Sequence, residues 1–263
     1  MLSPGLRPVG YEVHGAGPPV VLLHPFPFAR DIWSGLVDVL AVGHRVIAVD
    51  ARGFGETPLG PQGYAIADLA DDVLGLLDHL GLPRAAVLGM SMGGYTALAC
   101  AIRHPTRVSA LILCDTRAGA DPAAMRAARD GAIARIRASG SGPYLDGSMA
   151  RLLSPSAPPS LLTFLRSWAE ERPESLIAGI EALRDRPDRS AELGAIRCPT
   201  LVIRGADDQV TPAADMRELA QAIAGATFVE LPGAGHLSHL EAPGPFERAL
   251  MPFLAANLKG EPQ

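Results

Sequence analysis

Apolar residues follow two rhythms along this chain. Unbroken short runs occupy residues 20–23, 46–49, 85–88, 110–113 and 200–203, and residues 227–231 close the series. Runs of this length bounded by turn-forming positions read as strands buried on both faces of a sheet. Between them, apolar positions return with helical spacing. Over residues 66–80 they fall at Ile66, Leu69, Val73, Leu76, Leu77 and Leu80, one face of a helix. Gly81 and Pro83 follow as a C-cap and a stop. A second helix is predicted over 212–224, with Thr211 as its N-cap and Pro212 at its first position. This alternation points to an α/β class, with a mostly parallel central sheet and helices on both faces.

The alternation fails between residues 117 and 187. An Ala/Arg-rich helical pattern at 123–138 gives way to Gly/Ser/Pro breaks at 139–143 and 154–159, with no convincing strand. The expectation is a helical cap insertion (117–187) over the carboxyl edge of the sheet, where ligands bind in such folds. Residues 1–116 and 188–263 then make the core domain. No internal repeat is visible.

The chemistry concentrates at strand ends. Gly89-Met90-Ser91-Met92-Gly93-Gly94 lies between the apolar run at 85–88 and a helical segment at 95–101. A serine at such a turn, with glycine two residues before and two after, has the pattern of a nucleophile elbow. The glycines admit a turn too tight for a Cβ, and the serine is held beside a helix N-terminus that favours negative charge. A serine hydroxyl needs a base to take its proton and a carboxylate to orient that base. Of seven histidines, His236 stands out in the loop Pro232-Gly233-Ala234-Gly235-His236 after the last strand. His239, at a helix start, is expected to pack or bond locally. Asp207 and Asp208 both follow the strand at 200–203 and leave the carboxylate open between them. The order Ser, Asp, His fits one of the known triad orders and not the others.

Composition narrows the class without naming a substrate. The 263 residues are 48% hydrophobic and 19% charged, enough for one large core and too apolar for disorder. A net charge of −5 with no basic stripe speaks against nucleic acid or an anionic membrane as partner. Positive charge is almost wholly arginine, with Lys259 the one lysine. Cys100, Cys114 and Cys198 lack metal-ligand spacing and sit in apolar segments, as free thiols in a reducing compartment do. No signal-peptide pattern is visible in residues 1–8, and no apolar run reaches membrane-spanning length. The expectation is a cytoplasmic protein, with homo-oligomerisation left open.

These separated motifs together resemble the α/β-hydrolase fold, in the broad group of enol-lactone hydrolases, small carboxylesterases and cofactor-free haloperoxidases. The similarity runs over almost the whole chain. Its G-x-x-D-x-x-x-P pattern falls on Gly205, Asp208 and Pro212, which selects Asp208 as the acid. The family's histidine loop resembles Gly235-His236 with Glu241 and Pro243 following. Residues 50–57 resemble its D-x-R-G-x-G-x-S turn, usually structural, with Thr57 in the serine's place. An oxyanion hole needs two aligned amides. The resemblance implies those of Met92, after the nucleophile, and Phe26, in His24-Pro25-Phe26-Pro27 where the family has His-Gly-x-Pro. Pro25 replaces that glycine, and His24 is expected to brace the loop.

The implied chemistry is acyl transfer on a small-molecule ester through Ser91, His236 and Asp208, with no metal or organic cofactor required. Enol-lactone hydrolysis, perhydrolase activity and a non-catalytic small-molecule receptor are the alternatives. A serine at the elbow counts against haloalkane dehalogenase and epoxide hydrolase chemistry, which uses aspartate there. Candidate substrate contacts are Phe28, Met90, Arg117, Leu161, Phe164 and Trp168. A carboxylate-bearing lactone would need a cap arginine, for which Arg117, Arg135, Arg151 and Arg166 are candidates.

Overall fold

Residues 9–258 are described by the computed structural model, so residues 1–8 and 259–263, Lys259 among them, lie outside the described residues. Its strands are β1 (Tyr11–His14), β2 (Pro19–Leu23), β3 (Arg45–Val49), β4 (Ala85–Met90), β5 (Val108–Cys114), β6 (Thr200–Gly205) and β7 (Thr227–Leu231). Helices are α1 (Ser34–Leu40), α2 (Ile66–His79), α3 (Met92–Arg103), α4 (Ala123–Ser139), α5 (Ser141–Ser148), α6 (Pro159–Trp168), α7 (Pro173–Asp185), α8 (Ala213–Ala222), α9 (Ser238–Glu241) and α10 (Pro243–Asn257). The strands form one sheet in the order β1-β3-β2-β4-β5-β6-β7, and every neighbouring pair is parallel except β1 with β3.

Six of the seven strands coincide with the apolar runs. The exception, β1, is a short antiparallel edge strand whose residues Glu12, Val13 and His14 are exposed. An edge strand buries too little to need an apolar run. Strands β4 and β6 are buried at every position, as a sheet covered on both faces requires. α2 buries Ile66, Leu69, Val73, Leu76 and Leu77, and Gly81 takes the left-handed conformation (φ 68°) just past its end.

Two expectations about helix boundaries are corrected. α8 begins at Ala213 with Pro212 as its N-cap residue. Thr211 makes no capping bond, because its hydroxyl donates to the Asp115 carbonyl at 3.2 Å, across to the end of β5. The break at 139–143 is a junction between helices. Gly140 turns at φ 75° and α5 starts at Ser141, with Pro143 in its first turn, where the missing N–H is tolerated. Between β5 and β6 the chain forms α4 to α7 and no strand.

The topology decides where a ligand can sit. From β2 the chain moves outward to β3, then crosses back over β2 to β4. The loops after β2 and β4 therefore diverge, opening a crevice at the carboxyl ends of those strands. Among the described residues, no helix is long and apolar enough to cross a membrane.

Candidate active site

Ser91 follows β4 at that switch point. Its backbone has φ 51° and ψ −112°, strained for a residue with a Cβ. Its amide donates to the Cys114 carbonyl at 2.9 Å, and its carbonyl accepts from Tyr95 N at 3.1 Å and Thr116 Oγ1 at 3.0 Å. The flanking glycines permit this turn by contact. A Cβ on Gly89 would lie 2.1 Å from the Gly93 oxygen, and one on Gly93 would lie 2.0 Å from the Leu23 oxygen. The start of α3 thus rests against the backbone of β2. Its first amide, Met92 N, carries the positive end of the helix dipole.

The loop after β2 is braced from below. His24 Nε2 accepts the Ala51 amide at 2.9 Å, and its Nδ1 bonds the Pro25 carbonyl at 3.1 Å, which assigns the proton to Nδ1. Burial lowers the pKa of His24, so it stays neutral there. Phe28 N closes a turn onto the Pro25 carbonyl at 3.0 Å, and the Phe26–Pro27 peptide is cis. The Phe26 ring packs edge-on against Phe54 and over Gly179, where a Cβ would come within 2.8 Å of it. Among the described residues, neither the Phe26 nor the Met92 amide donates to a protein acceptor.

Asp208 and His236 meet from the loops after β6 and β7. His236 Nδ1 donates to Asp208 Oδ2 at 2.9 Å, while Asp208 Oδ1 accepts the Val210 and Thr211 amides at 2.7 and 3.1 Å. Both side chains are buried, whereas Asp207 is exposed. Burial alone would raise the Asp208 pKa, but the His236 charge, its hydrogen bond and the two amides outweigh it and lower the value. For His236 burial works to lower the pKa, and the Asp208 charge and hydrogen bond outweigh it, so the imidazole is more basic than usual. Nε2 is free of protein partners among the described residues and can act as a base.

Asp115 is a buried residue that the motif reading passes over. It follows β5, has φ 46°, and is fully buried beside the Asp208–His236 pair. Its Oδ1 accepts the Gly205 amide at 2.8 Å, and Ser238 Oγ bonds its Oδ2 at 2.5 Å. It therefore ties the loop that carries Asp208 to the loop that carries His236. Burial, then the Asp208 charge, pushes its pKa up to about 8, so it is mostly protonated at neutral pH. Its position at a strand's carboxyl end was the available signal, the same one that singles out Asp208 and His236.

Ser91 and His236 open onto one cavity of about 480 Å³, a volume suited to a small organic ligand. Phe26 and Tyr95 line it, together with residues of α4, α5 and α7 and with Arg151 and Leu152. Of the six candidate substrate contacts only Arg117 lines it. Phe28 and Met90 are wholly buried core residues. Leu161 and Phe164 line a separate cleft with Ser154 and Leu240, and the Trp168 ring packs against Phe164 at a tilt of 49°, 4.3 Å between centroids. The reason is the rotation of α6, which turns Leu165 into the core and leaves Phe164 43% exposed. His239 is likewise structural, its Nε2 bonding the Ile32 carbonyl at 3.1 Å and its ring packing at a tilt against Trp33. Thr57 serves the 50–57 turn by donating to the Asp50 carbonyl at 2.7 Å and accepting Gly10 N at 2.8 Å.

Known proteins share this architecture. The chain is 33% identical to RutD of Variovorax paradoxus, a homologue named as a carbamate hydrolase, over 94% of this chain and 96% of that one. A thermophilic esterase from Thermogutta terrifontis superposes with a TM-score of 0.90 at 35% identity, covering 95% of this chain and 94% of its own. The enol-lactonase from Burkholderia xenovorans superposes with a TM-score of 0.87 at 33% identity, covering 94% and 96%. The model of the alpha/beta hydrolase fold family matches residues 18–243. With that match spanning the elbow at Ser91 and the loops of Asp208 and His236, the chain belongs to the alpha/beta hydrolase fold family.

Proposed function

We propose that this hydrolase cleaves carboxylic esters of small molecules through an acyl-enzyme. His236 Nε2 takes the proton from Ser91 as its oxygen attacks the ester carbonyl. Asp208 holds the imidazole tautomer and stabilises the imidazolium. The Phe26 and Met92 amides receive the oxyanion, each worth roughly 3 kcal/mol in the transition state. His236 then returns the proton to the leaving alcohol, and a water activated by the same nitrogen releases the acid. One observation carries this reading: a strained serine opens on one cavity with a histidine that an aspartate holds from behind at 2.9 Å, and two amides near the serine are left free. Residues 117–187 act in it as the cap that closes the acyl site, and the free cysteines suit a cytoplasmic setting.

Lactone hydrolysis is the second reading, favoured by the likeness to the Burkholderia xenovorans enol-lactonase. It uses the same groups, with the alcohol retained on the acyl chain. The test is turnover of p-nitrophenyl esters, an enol-lactone and an aryl carbamate by wild type and Ser91→Ala. Wild type should turn over at least one of them and label with a fluorophosphonate. Ser91→Ala should fold normally and lose activity by a factor of about 10⁴ or more. Near-wild-type turnover by that variant, or labelling without turnover of any substrate, would overturn the proposal.

A further inference from the structure

Four arginines, Arg117, Arg129, Arg135 and Arg151, line the cavity that Ser91 and His236 share, and no aspartate or glutamate does. In a chain with a net charge of −5, this positive wall is a local arrangement. Two of the four are neutralised from behind. Arg117 pairs with Asp121 at 2.6 Å and Asp215 at 3.3 Å, and Arg129 pairs with Asp121 as well. The other two are different. Arg135, on α4, and Arg151, in the 3-10 turn Met149–Leu152, are exposed at the cavity and make no hydrogen bond or ion pair among the described residues. Both lie within electrostatic reach of the Tyr144 hydroxyl, a residue that lines the same cavity. Arg166, the remaining arginine suggested by the sequence, is instead paired with Asp146 and Glu171.

Two guanidiniums at the cavity without a carboxylate partner attract an anion, and their fork of donors matches a carboxylate. The aspartates behind Arg117 and Arg129 leave the charge of Arg135 and Arg151 uncancelled. We propose that Arg135 and Arg151 form a recognition subsite for a carboxylate, so that the preferred substrates are esters bearing a second, ionised carboxyl group. This inference rests on the ester-hydrolase reading and deepens it. The cavity is then divided by function: the bond to be cleaved at Ser91, and the anionic end of the molecule at the arginine wall.

Matched pairs of substrates test it. 4-Nitrophenyl hydrogen glutarate against 4-nitrophenyl butyrate places the carboxylate on the acyl side. 4-Acetoxybenzoate against its methyl ester places it on the leaving group. Wild type should prefer the anionic member of at least one pair in kcat/KM, and added salt should shrink that preference by screening. In Arg135→Gln/Arg151→Gln the preference should fall about tenfold, chiefly through KM, as two partly exposed ion pairs allow. The charge-conserving Arg135→Lys/Arg151→Lys should retain most of it. Equal handling of both pairs by wild type, or a preference untouched in the glutamine variant, overturns the subsite. Absence of turnover on every ester, neutral or anionic, would instead count against the ester-hydrolase reading itself.

Discussion

Replacing Asp115 by asparagine should make the protein more stable, by an amount that grows with pH. The carboxyl is fully buried, and its pKa rises from an ordinary 3.8 to about 8 because of burial and the neighbouring Asp208 charge. The sign follows from proton counting. Between these two values the folded chain holds a proton that the unfolded chain has released, so stability falls as pH rises and the loss is complete above the folded value. At about 1.4 kcal/mol for each pH unit, the ceiling on that loss is on the order of 5 kcal/mol by pH 8. Asparagine carries no such proton. Its oxygen can still accept the Gly205 amide, and its nitrogen can donate to Ser238 Oγ, so the tie between the two loops survives. Urea unfolding of both proteins, followed by circular dichroism from about pH 5 to pH 9, measures the difference directly. The gap in favour of Asp115→Asn should open with pH and level off near pH 8. A gap independent of pH would refute the reasoning, because it would mean that Asp115 is ionised throughout in the folded state. Ester turnover separates this role from that of an orienting acid. Asp115 bonds the Gly205 amide and Ser238 and not the His236 ring, so the variant should stay within about tenfold of wild type in kcat/KM, far from the loss of about 10⁴ that follows when a triad aspartate is replaced.

Two further outcomes follow from the site's geometry. Asp208→Asn should cost about 10³- to 10⁴-fold in kcat while the exposed Asp207→Asn costs less than about twofold, and steady-state kinetics giving the reverse order would reassign the acid. Gly93→Ala would drive a Cβ to 2.0 Å from the Leu23 oxygen, so the melting temperature should drop by roughly 5–10 °C, and an unchanged value would show that α3 and β2 can separate at no cost.

What could be read from the sequence was whatever local backbone chemistry decides. Six strands were legible because a doubly covered strand must be apolar at every position, as β4 is from Ala85 to Met90. α2 was legible because one face of a free-standing helix pattern must meet the sheet, and Gly81 supplies the left-handed turn after it. Ser91, His236 and the Asp207–Asp208 pair stood out because each is announced by its own loop, glycines around a tight turn or a polar residue in the loop after a strand, and the choice of Asp208 came from the family pattern. β1 was not legible, since an edge strand with three exposed residues leaves no periodic trace. The role of Thr211 was misread for a related reason. A cap is a local bond, and the hydroxyl spends its hydrogen on the Asp115 carbonyl, 96 residues away in the chain.

The tertiary structure alone decided which side chains share the cavity. Leu161, Phe164 and Trp168 carry the right chemistry for an apolar wall, but the rotation of α6 sends them to another cleft. Arg135 and Arg151 were two of four arginines the sequence could not rank, and only the folded chain shows that they line one cavity with Ser91 without a carboxylate partner while Arg166 does not line it. Asp115 is one more aspartate until the sheet order sets β5 between β4 and β6, with its carboxyl bonded to Gly205 and Ser238 in the loops of Asp208 and His236. The sequence by itself determined the fold class and the strand-end positions of serine, aspartate and histidine, because turns and strands are written in neighbouring residues. The lining of the cavity and the raised pKa of Asp115 were decided by tertiary structure, because burial and the meeting of distant charges exist only once the chain has closed on itself.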